Sequence, residues 1–548
     1  MSVGKSSLQK QTIREQPLNL SINKADNLKV LLITGALAED TVKRYAQESS
    51  VNTETVALKI PVAALLTPET IAKALENMNI NGFNVILIPG LVRGDTSVIT
   101  KAFGVQTFKG PRYAADLPTV LDSLGEVQLS TVVPACDLLR EKLQKKALQE
   151  IAKAEQNRDE LLKKPGSMLI RNLAVGKDFP MRVLAEIVDA PLMDKDTIQR
   201  LAKHFVQVGA DIIDVGMVAG ESRPSDARRI VQAVKQVADV PVSIDTLDPD
   251  EIREAVLAGA DLVLSADAGN IEAIAPFASG VVVVVIPTNQ RQGYFPKKAE
   301  ERVKFLEEIL EKAKRLGVTK CIADLILEPS DVLESFVAFR QFADRNPSVP
   351  LFVGVSNVTE LMDADSVGVN ALLARLSSEV GASILLATEK SDKAKGTVSE
   401  EVAAAKMMFL AKKRGSVPKD LGIDLLVLKD KRVHEEPYDK KSEADAKVVW
   451  ASDKPEPAIL DAEGMFKIAV DRVENVLVAV HYTSLEMNKP INVIKGKTAE
   501  GMYDRIMQLG LVTRLDHAAY LGSELAKAEV ALRTGKEYIQ DRAMFTKQ

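Results

Sequence analysis

The sequence of 548 residues holds two cysteines, four histidines and one tryptophan. Cys136 and Cys321 are too far apart in sequence and too few for a disulfide framework or a cysteine-rich zinc or iron–sulfur site. The histidines, His204, His434, His481 and His517, are scattered, which works against any centre built on several imidazoles. The formal net charge of −5 lacks the positive excess of a protein that coats nucleic acid. Apolar runs such as Val281–Pro287 and Val476–Val480 are far shorter than the ~20 residues that span a bilayer. The N-terminus mixes Lys5, Lys10, Arg14 and Glu15 with polar residues and has no apolar signal core. A cytoplasmic protein with no nucleic-acid and no membrane partner is expected.

What is present is ordinary globular material, 46% apolar and 27% charged. The length predicts two to four domains. Residues 1–26 form a polar tail. From Leu28, apolar runs at Leu28–Thr34, Val56–Ile60, Asn84–Pro89 and Leu129–Pro134 alternate with helical stretches, which predicts a small parallel, Rossmann-like α/β domain over 27–166. A charged helix, Lys146–Lys164, closes it. No glycine fingerprint follows Leu28–Gly35, so a dinucleotide is not implied. Two loop-like stretches, Gly90–Asp95 and Gly110–Tyr113, could take an anion or be plain turns.

Over 167–415 a strand–helix unit repeats. Strands are expected at Val183–Val188, Asp211–Gly216, Val240–Asp245, Ala260–Ser265, Gly280–Ile286, Lys320–Leu325, Leu351–Ser356 and Ala382–Ala387. One-sided helices, for example Val303, Leu306, Ile309, Leu310 and Ala313, lie between nearly all-apolar strands, as when helices cover a buried parallel sheet. Eight units over about 230 residues predict an α/β fold centred on a (β/α)8 TIM barrel, with an open doubly wound sheet as the alternative. Residues 416–548, with strands at Val476–Tyr482 and Ile491–Lys495 and helices at Thr498–Leu509 and His517–Thr534, read as a C-terminal α/β module behind a charge-dense segment, Lys429–Lys454.

In such a barrel the functional groups stand at the carboxyl ends of the strands. Those ends carry Glu186, Asp214, Asp245 and Asp324, followed by Asn357 after strand seven and Lys390 after strand eight. Asp248 and Asp365 read as helix caps, whereas Asp214, Asp245 and Asp324 lie in apolar strand ends that need no cap. Without histidine, such carboxylates favour Mg2+ over zinc. They equally suit a heterocycle with adjacent N–H donors, because one carboxylate accepts two of them in fixed geometry.

The ordered set Gly209-Ala210-Asp211-Ile212-Ile213-Asp214-Val215-Gly216, Glu221-Ser222-Arg223-Pro224 and Val242-Ser243-Ile244-Asp245-Thr246, with Asp324 further on, resembles dihydropteroate synthases and other pterin-binding barrels. Gly354–Asn357, Asn370 and Glu186 are more similar to the related methyltetrahydrofolate:corrinoid methyltransferases. With a domain on each side, the chain resembles archaeal-type dihydropteroate synthase-related proteins linked to methanopterin biosynthesis. The resemblance implies that Asp324 holds the amino and ring N–H edge of a reduced pterin, that Asp245 and Asp214 line the same pocket, with Glu186 and Asn357 beside it, and that Arg223 meets the anionic or aryl partner. It departs from the bacterial pattern where Ser356-Asn357-Val358 replaces Ser-Arg-Lys, and where Leu386 and Thr388 replace Arg and His. Lys390, Lys393 and Lys395 are then the cations left for an anion, or a solvated loop. Asp516–Gly522 and Lys536–Asp541 resemble a module of methanogen corrinoid-linked methyltransferase subunits; His517 there is expected to make only a local hydrogen bond.

The resemblance implies three functions. The first couples 6-hydroxymethyl-dihydropterin diphosphate to an arylamine, in the methanopterin route one carrying a ribosyl phosphate, with Mg2+ offsetting the missing Lys and Arg. The second moves a methyl group from a reduced pterin to a corrinoid or similar acceptor. The third is a non-catalytic pterin scaffold. A homodimer is carried over from the family.

Overall fold

The computed structural model describes residues 28–62, 65–419, 421–429, 438, 443–444, 446–452, 459–483 and 489–545. The expected tail 1–26 and most of the charge-dense segment lie outside them. The described residues form two compact units, one running to Lys146 and the other starting at Ala147.

The first unit is a four-stranded parallel sheet of β1 (Lys29–Gly35), β2 (Asn52–Leu58), β3 (Val85–Ile88) and β4 (Gln106–Lys109), in the order β2-β1-β3-β4. Its two faces are separate apolar clusters, Val30, Leu32, Val85 and Leu87 on one side and Leu31, Ile33, Ile86 and Ile88 on the other, as period-two alternation requires. The fourth strand differs from the expectation. Leu129–Pro134 is not a strand. Gln106–Lys109 takes the place, and Ser130 O accepts the Lys109 N–H at 3.0 Å without forming a strand. Four residues are too short a run to outweigh a longer apolar stretch.

In the second unit a hairpin, β5 (Met168–Ile170) and β6 (Leu173–Val175), precedes a closed parallel barrel. Its strands are β7 (Arg182–Ile187), β8 (Ile212–Gly216), β9 (Val242–Asp245), β10 (Leu262–Ala266), β11 (Val282–Val285), β12 (Cys321–Ala323), β13 (Leu351–Val353) and β14 (Ala382–Thr388). β14 pairs with β7 and closes the ring. All eight fall where the sequence pattern puts them, and the open-sheet alternative is excluded. Two glycines punctuate the repeats. Gly209 and Gly259 end helices with positive φ (106° and 97°), and two residues on Asp211 and Asp261 accept the N–H of Val183 and Val242, at 2.9 and 3.0 Å. The repeated Gly-Ala-Asp thus ends a helix and ties the next strand to its neighbour.

Strand alternation sets the position of the site. Leu184, Ile212, Leu262, Leu264, Val282, Val284, Ile322, Phe352, Ile384 and Leu386 fill the barrel interior, with Ile170 and Val175 of the hairpin packed in the same cluster. Two residues further along three of these inward rows, the side chains become Glu186, Asp214 and Asp324. Ser243 and Asp245 continue the pattern on β9.

The C-terminal residues form an antiparallel sheet of β15 (Met465–Asp471), β16 (Val476–Tyr482) and β17 (Asn492–Gly496), with helices Ala499–Gln508 and Leu515–Thr534. β15 is an addition to the expected strands. Its alternating burial, with Phe466 and Ile468 inward, is the period-two signal that marks it.

Candidate functional site at the barrel mouth

Neighbouring strands carry the acids into register. Glu186 stands opposite Asp214, Asp214 opposite Ser243, and Gly216 opposite Asp245. Oxygen atoms of Glu186, Asp214 and Asp245 all lie within 4.8 Å of one another. Gly216 makes room, since a Cβ there would strike Glu186 Oε1. Asp214 is wholly buried. Its Oδ1 accepts the Ser243 hydroxyl at 2.5 Å, while Oδ2 has no partner among the described residues.

Like charges in a low-dielectric mouth favour the protonated forms. Burial, then the charges of Asp245 and Asp189, pushes the Glu186 carboxyl up to about 8. Burial alone pushes Asp245 up to about 6. Burial, then Asp245 and Glu186, raises Asp214 well above the carboxylate range, with the Ser243 bond opposing. Asp324 rises to about 7 because it is buried, although the Ile326 N–H that it accepts at 2.8 Å favours its ionised form. Burial thus raises all four acids, and Glu186, Asp214 and Asp245 are close enough to resist being ionised together.

Sequence reasoning missed the group that holds Asp324 in place. Arg302 is fully buried on the helix Ala299–Arg315. It donates to Pro296 O (3.0 Å), Ile326 O (3.1 Å), Ser335 Oγ (3.1 Å) and Glu328 Oε2 (2.8 Å). Ile326 has φ 63°, a left-handed conformation that a β-branched residue rarely takes. The bond from Arg302 to its carbonyl secures that conformation, and Ile326 N–H then meets Asp324. The signal was available: Arg302 occupies the inward stripe with Ala299, Val303 and Leu306, where an arginine is out of place unless it is bonded.

The other expected site residues divide. Lys390 lies at the rim, with Nζ 2.8 Å from Asp189 and close enough to Glu186 to interact with its charge. Asn357 is exposed after β13 and donates to Leu327 O at 3.2 Å. Arg223 caps a loop, where Glu221 and Asp226 pair with its guanidinium and Glu251 accepts its N–H at 2.7 Å. Lys393 and Lys395 are bonded to the carbonyls of Met362 and Glu389. Asn370 is not at the mouth. It is buried on the helix Ser366–Val380, accepts from Thr359 Oγ1 at 2.6 Å and donates to Glu400 at 2.7 Å. Its motif match therefore reflects helix packing. Asp248 caps its helix as expected, whereas Asp365 makes no side-chain cap.

The C-terminal motifs are structural. His517 bonds Asp461, 56 residues away, at 3.1 Å, so its partner is not local. Gln540 bonds Ile468 N and Phe466 O along the edge of β15, at 2.9 and 3.1 Å. Tyr520 donates to Asp541 at 2.7 Å and Tyr538 to Glu524 at 2.9 Å. These short motif strings are the clasp that fixes the chain end to the sheet.

Comparison with known proteins agrees with this architecture. A family profile described as pterin binding enzyme matches residues 188–389. One described as PterinBD-DUF4346 matches 460–541, and a family of unknown function, DUF6513, matches 28–112. An uncharacterized protein of Methanocaldococcus jannaschii is 41% identical over 532 residues, covering 94% of this chain and 99% of its own. The dihydropteroate synthase of Clostridium beijerinckii is 37% identical over 79 residues, 13% of this chain and 29% of that protein. The crystal structure of Yersinia pestis dihydropteroate synthase aligns at 19% identity and a TM-score of 0.36, covering 46% of this chain and all of that one. At 41% identity over nearly the whole of both, the chain belongs to one family with the Methanocaldococcus jannaschii protein, and its barrel is matched over residues 188–389 as a pterin binding enzyme.

Proposed function

We propose that the barrel mouth binds a reduced pterin and that the chain couples 6-hydroxymethyl-dihydropterin diphosphate to an arylamine. The observation that carries this reading is Asp324, a carboxylate fixed on one oxygen by Ile326 N–H and braced by Arg302, beside Asp245. Both oxygens keep lone pairs to accept the amino and ring N–H donors of a pterin edge, one each, a charge-assisted pair with fixed geometry. The amine nitrogen would attack the ring-bound CH2 as the carbon–oxygen bond to diphosphate breaks. Diphosphate takes the electron pair, and the amine gives up a proton.

A diphosphate meets an acidic mouth here, so its charge needs an offset. Without a cation, part would come from protonation of Glu186 and Asp214, which burial favours; with a cation, the same acids would bind it in their ionised form. Glu186, Asp214 and Asp245 are an all-oxygen set, and the buried, unpartnered Asp214 Oδ2 fits a hard divalent cation such as Mg2+. When bound, that ion would supply positive charge toward the leaving group. In the methanopterin route the arylamine carries a ribosyl phosphate, and the exposed Lys390 is the rim cation whose charge reaches Glu186.

The test is direct. Full-length protein is incubated with the pterin diphosphate and arylamines, with and without Mg2+, and the coupled pterin is sought by mass spectrometry. No product under either condition, with pterin binding intact, removes the reading. One feature favours a second, methyl transfer from a methyl-tetrahydropterin to a corrinoid: Glu186 keeps a proton near neutral pH, which suits protonation of the pterin ring. A change in corrinoid absorbance on adding methyl-pterin would support it. Binding without either turnover would leave a pterin scaffold.

A further inference from the structure

The first unit carries a candidate site of its own, independent of the pterin reading. In the order β2-β1-β3-β4 the chain moves outward in opposite directions from β1 and β3, and open parallel sheets bind ligands outside the carboxyl ends of their strands; the candidate site lies at that end, one strand over from the reversal, beside β3 and β4. The exit loops are tied in pairs. Ala36 and Leu37 donate to Ile60 O and Pro61 O (3.0 and 3.2 Å), while Gly90 donates to Pro111 O (2.9 Å) and Gly110 to Ile88 O (2.7 Å). The second pair is in backbone contact: a Cβ on Gly90 would lie 2.7 Å from Gly110 O and 2.8 Å from Arg112 N. These are the two glycine-bearing stretches that stand out in the sequence.

At their base sits Lys109, the last residue of β4. It is only 6% exposed. It lies opposite Ile88 in register, while Phe108 before it belongs to the cluster on the other face. Among the described residues its ammonium makes no hydrogen bond and no ion pair, and it feels only the more distant charges of Arg112 and Asp95. Both neighbours are engaged elsewhere, and Asp95 acts on Lys109 only through its charge. Arg112 is held in a two-pronged pair by Asp137 at 2.5 and 2.6 Å. Asp95 accepts Ser97 N–H at 2.9 Å. Burial, then the Arg112 charge, pulls the Lys109 ammonium below the usual lysine range. Arg93, exposed in the loop after β3, also has no ion pair among the described residues. The stem of Lys109 is packed away while its ammonium is left without a partner among the described residues, so an anion at this edge would meet a cation already held in place.

We propose that the carboxyl edge of β3 and β4 binds a small oxyanion, the phosphate or carboxylate group of a metabolite, with Lys109 as the buried contact and Arg93 at the rim. The site is read by acetylating the full chain with acetic anhydride and measuring the rate at Lys109 by mass spectrometry. Inorganic phosphate, pyrophosphate and citrate are the probes. Protection by phosphate or pyrophosphate assigns a phosphate group, and protection by citrate alone assigns a carboxylate. Calorimetry on Lys109→Met should show affinity reduced about tenfold or more, the scale of a lost charge-assisted bond. Arg93→Gln, an exposed change that leaves folding alone, should weaken binding several-fold, and Asp324→Asn in the barrel should leave protection of Lys109 untouched. Equal acetylation with and without every anion overturns the proposal. So does unchanged anion affinity in both the Lys109→Met and Arg93→Gln variants.

Discussion

The barrel mouth and the C-terminal sheet both bury carboxylates, and they treat them in opposite ways. Asp461, 2% exposed, accepts Thr513 N–H and hydroxyl, the N–H of Arg514 and Glu463, and the ring of His517. Burial pushes it up, but those donors together outweigh burial and hold it well below the usual carboxylate range. At the mouth, the side chains of Glu186 and Asp245 accept no hydrogen bond from the described residues, and burial pushes them up to about 8 and about 6. Asp267 shows that the barrel can satisfy an acid when it needs to: its oxygens take the N–H groups of Gly269, Asn270 and Gln290 and the Thr288 hydroxyl. Burial is common to all of them. The number of donors separates a carboxylate that holds the fold from one left open for a ligand.

The sharpest way to break this contrast is to remove one acid from each side. Asp461→Ala strands several buried donors and should cost roughly 3–5 kcal/mol in the unfolding of the C-terminal module, measured by urea titration. Pterin binding by the barrel should be unaffected. Asp324→Asn should do the reverse, weakening a reduced pterin by about 1–3 kcal/mol in calorimetry while leaving stability at neutral pH unchanged or higher. If Asp324→Asn binds pterin as well as the parent chain, the mouth is not the pterin site. Arg302→Lys sharpens the point. A lysine keeps the charge but cannot make four directed bonds, so the Ile326 turn should loosen and pterin affinity should fall, with a smaller effect than Asp324→Asn.

How much of this was legible follows from range along the chain. The eight strands and the mouth acids were readable because alternation and strand-end position are local properties. Glu186, Asp214, Asp245 and Asp324 each sit where a two-residue period places an inward side chain. What was not readable depends on partners far away in sequence. Asn370 carries a family-like motif, yet Thr359 and Glu400 claim it. Arg223 stands where an anion contact is expected, yet Glu221 and Asp226 pair with it. His517 bonds Asp461 across a span that no periodicity covers. Strand-end position predicted where the mouth acids lie. Motif position could not predict whether a side chain was already taken.

The last test addresses the protonation side of the comparison. The mouth acids have folded-state pKa values above the ~4 of an unfolded carboxylate, so the folded chain binds more protons than the unfolded one between about pH 4 and the raised value of about 8 at Glu186. Stability should therefore fall as the pH rises through that window, the opposite of what Asp461 contributes, since its lowered value stabilises the fold above the unfolded pKa and is lost only in acid. Glu186→Gln removes the group that reaches about 8. Around pH 3.5 the side chain is neutral in the folded and the unfolded parent as it is in the variant, so Tm should barely move. Up to around pH 8 the unfolded parent carboxyl ionises while the folded one holds its proton, so the variant should melt higher by a margin that grows with pH. A Tm difference of the same size at both pH values would mean that Glu186 acts through packing and not through its proton, and the mouth would then lose the property that sets it apart from Asp461.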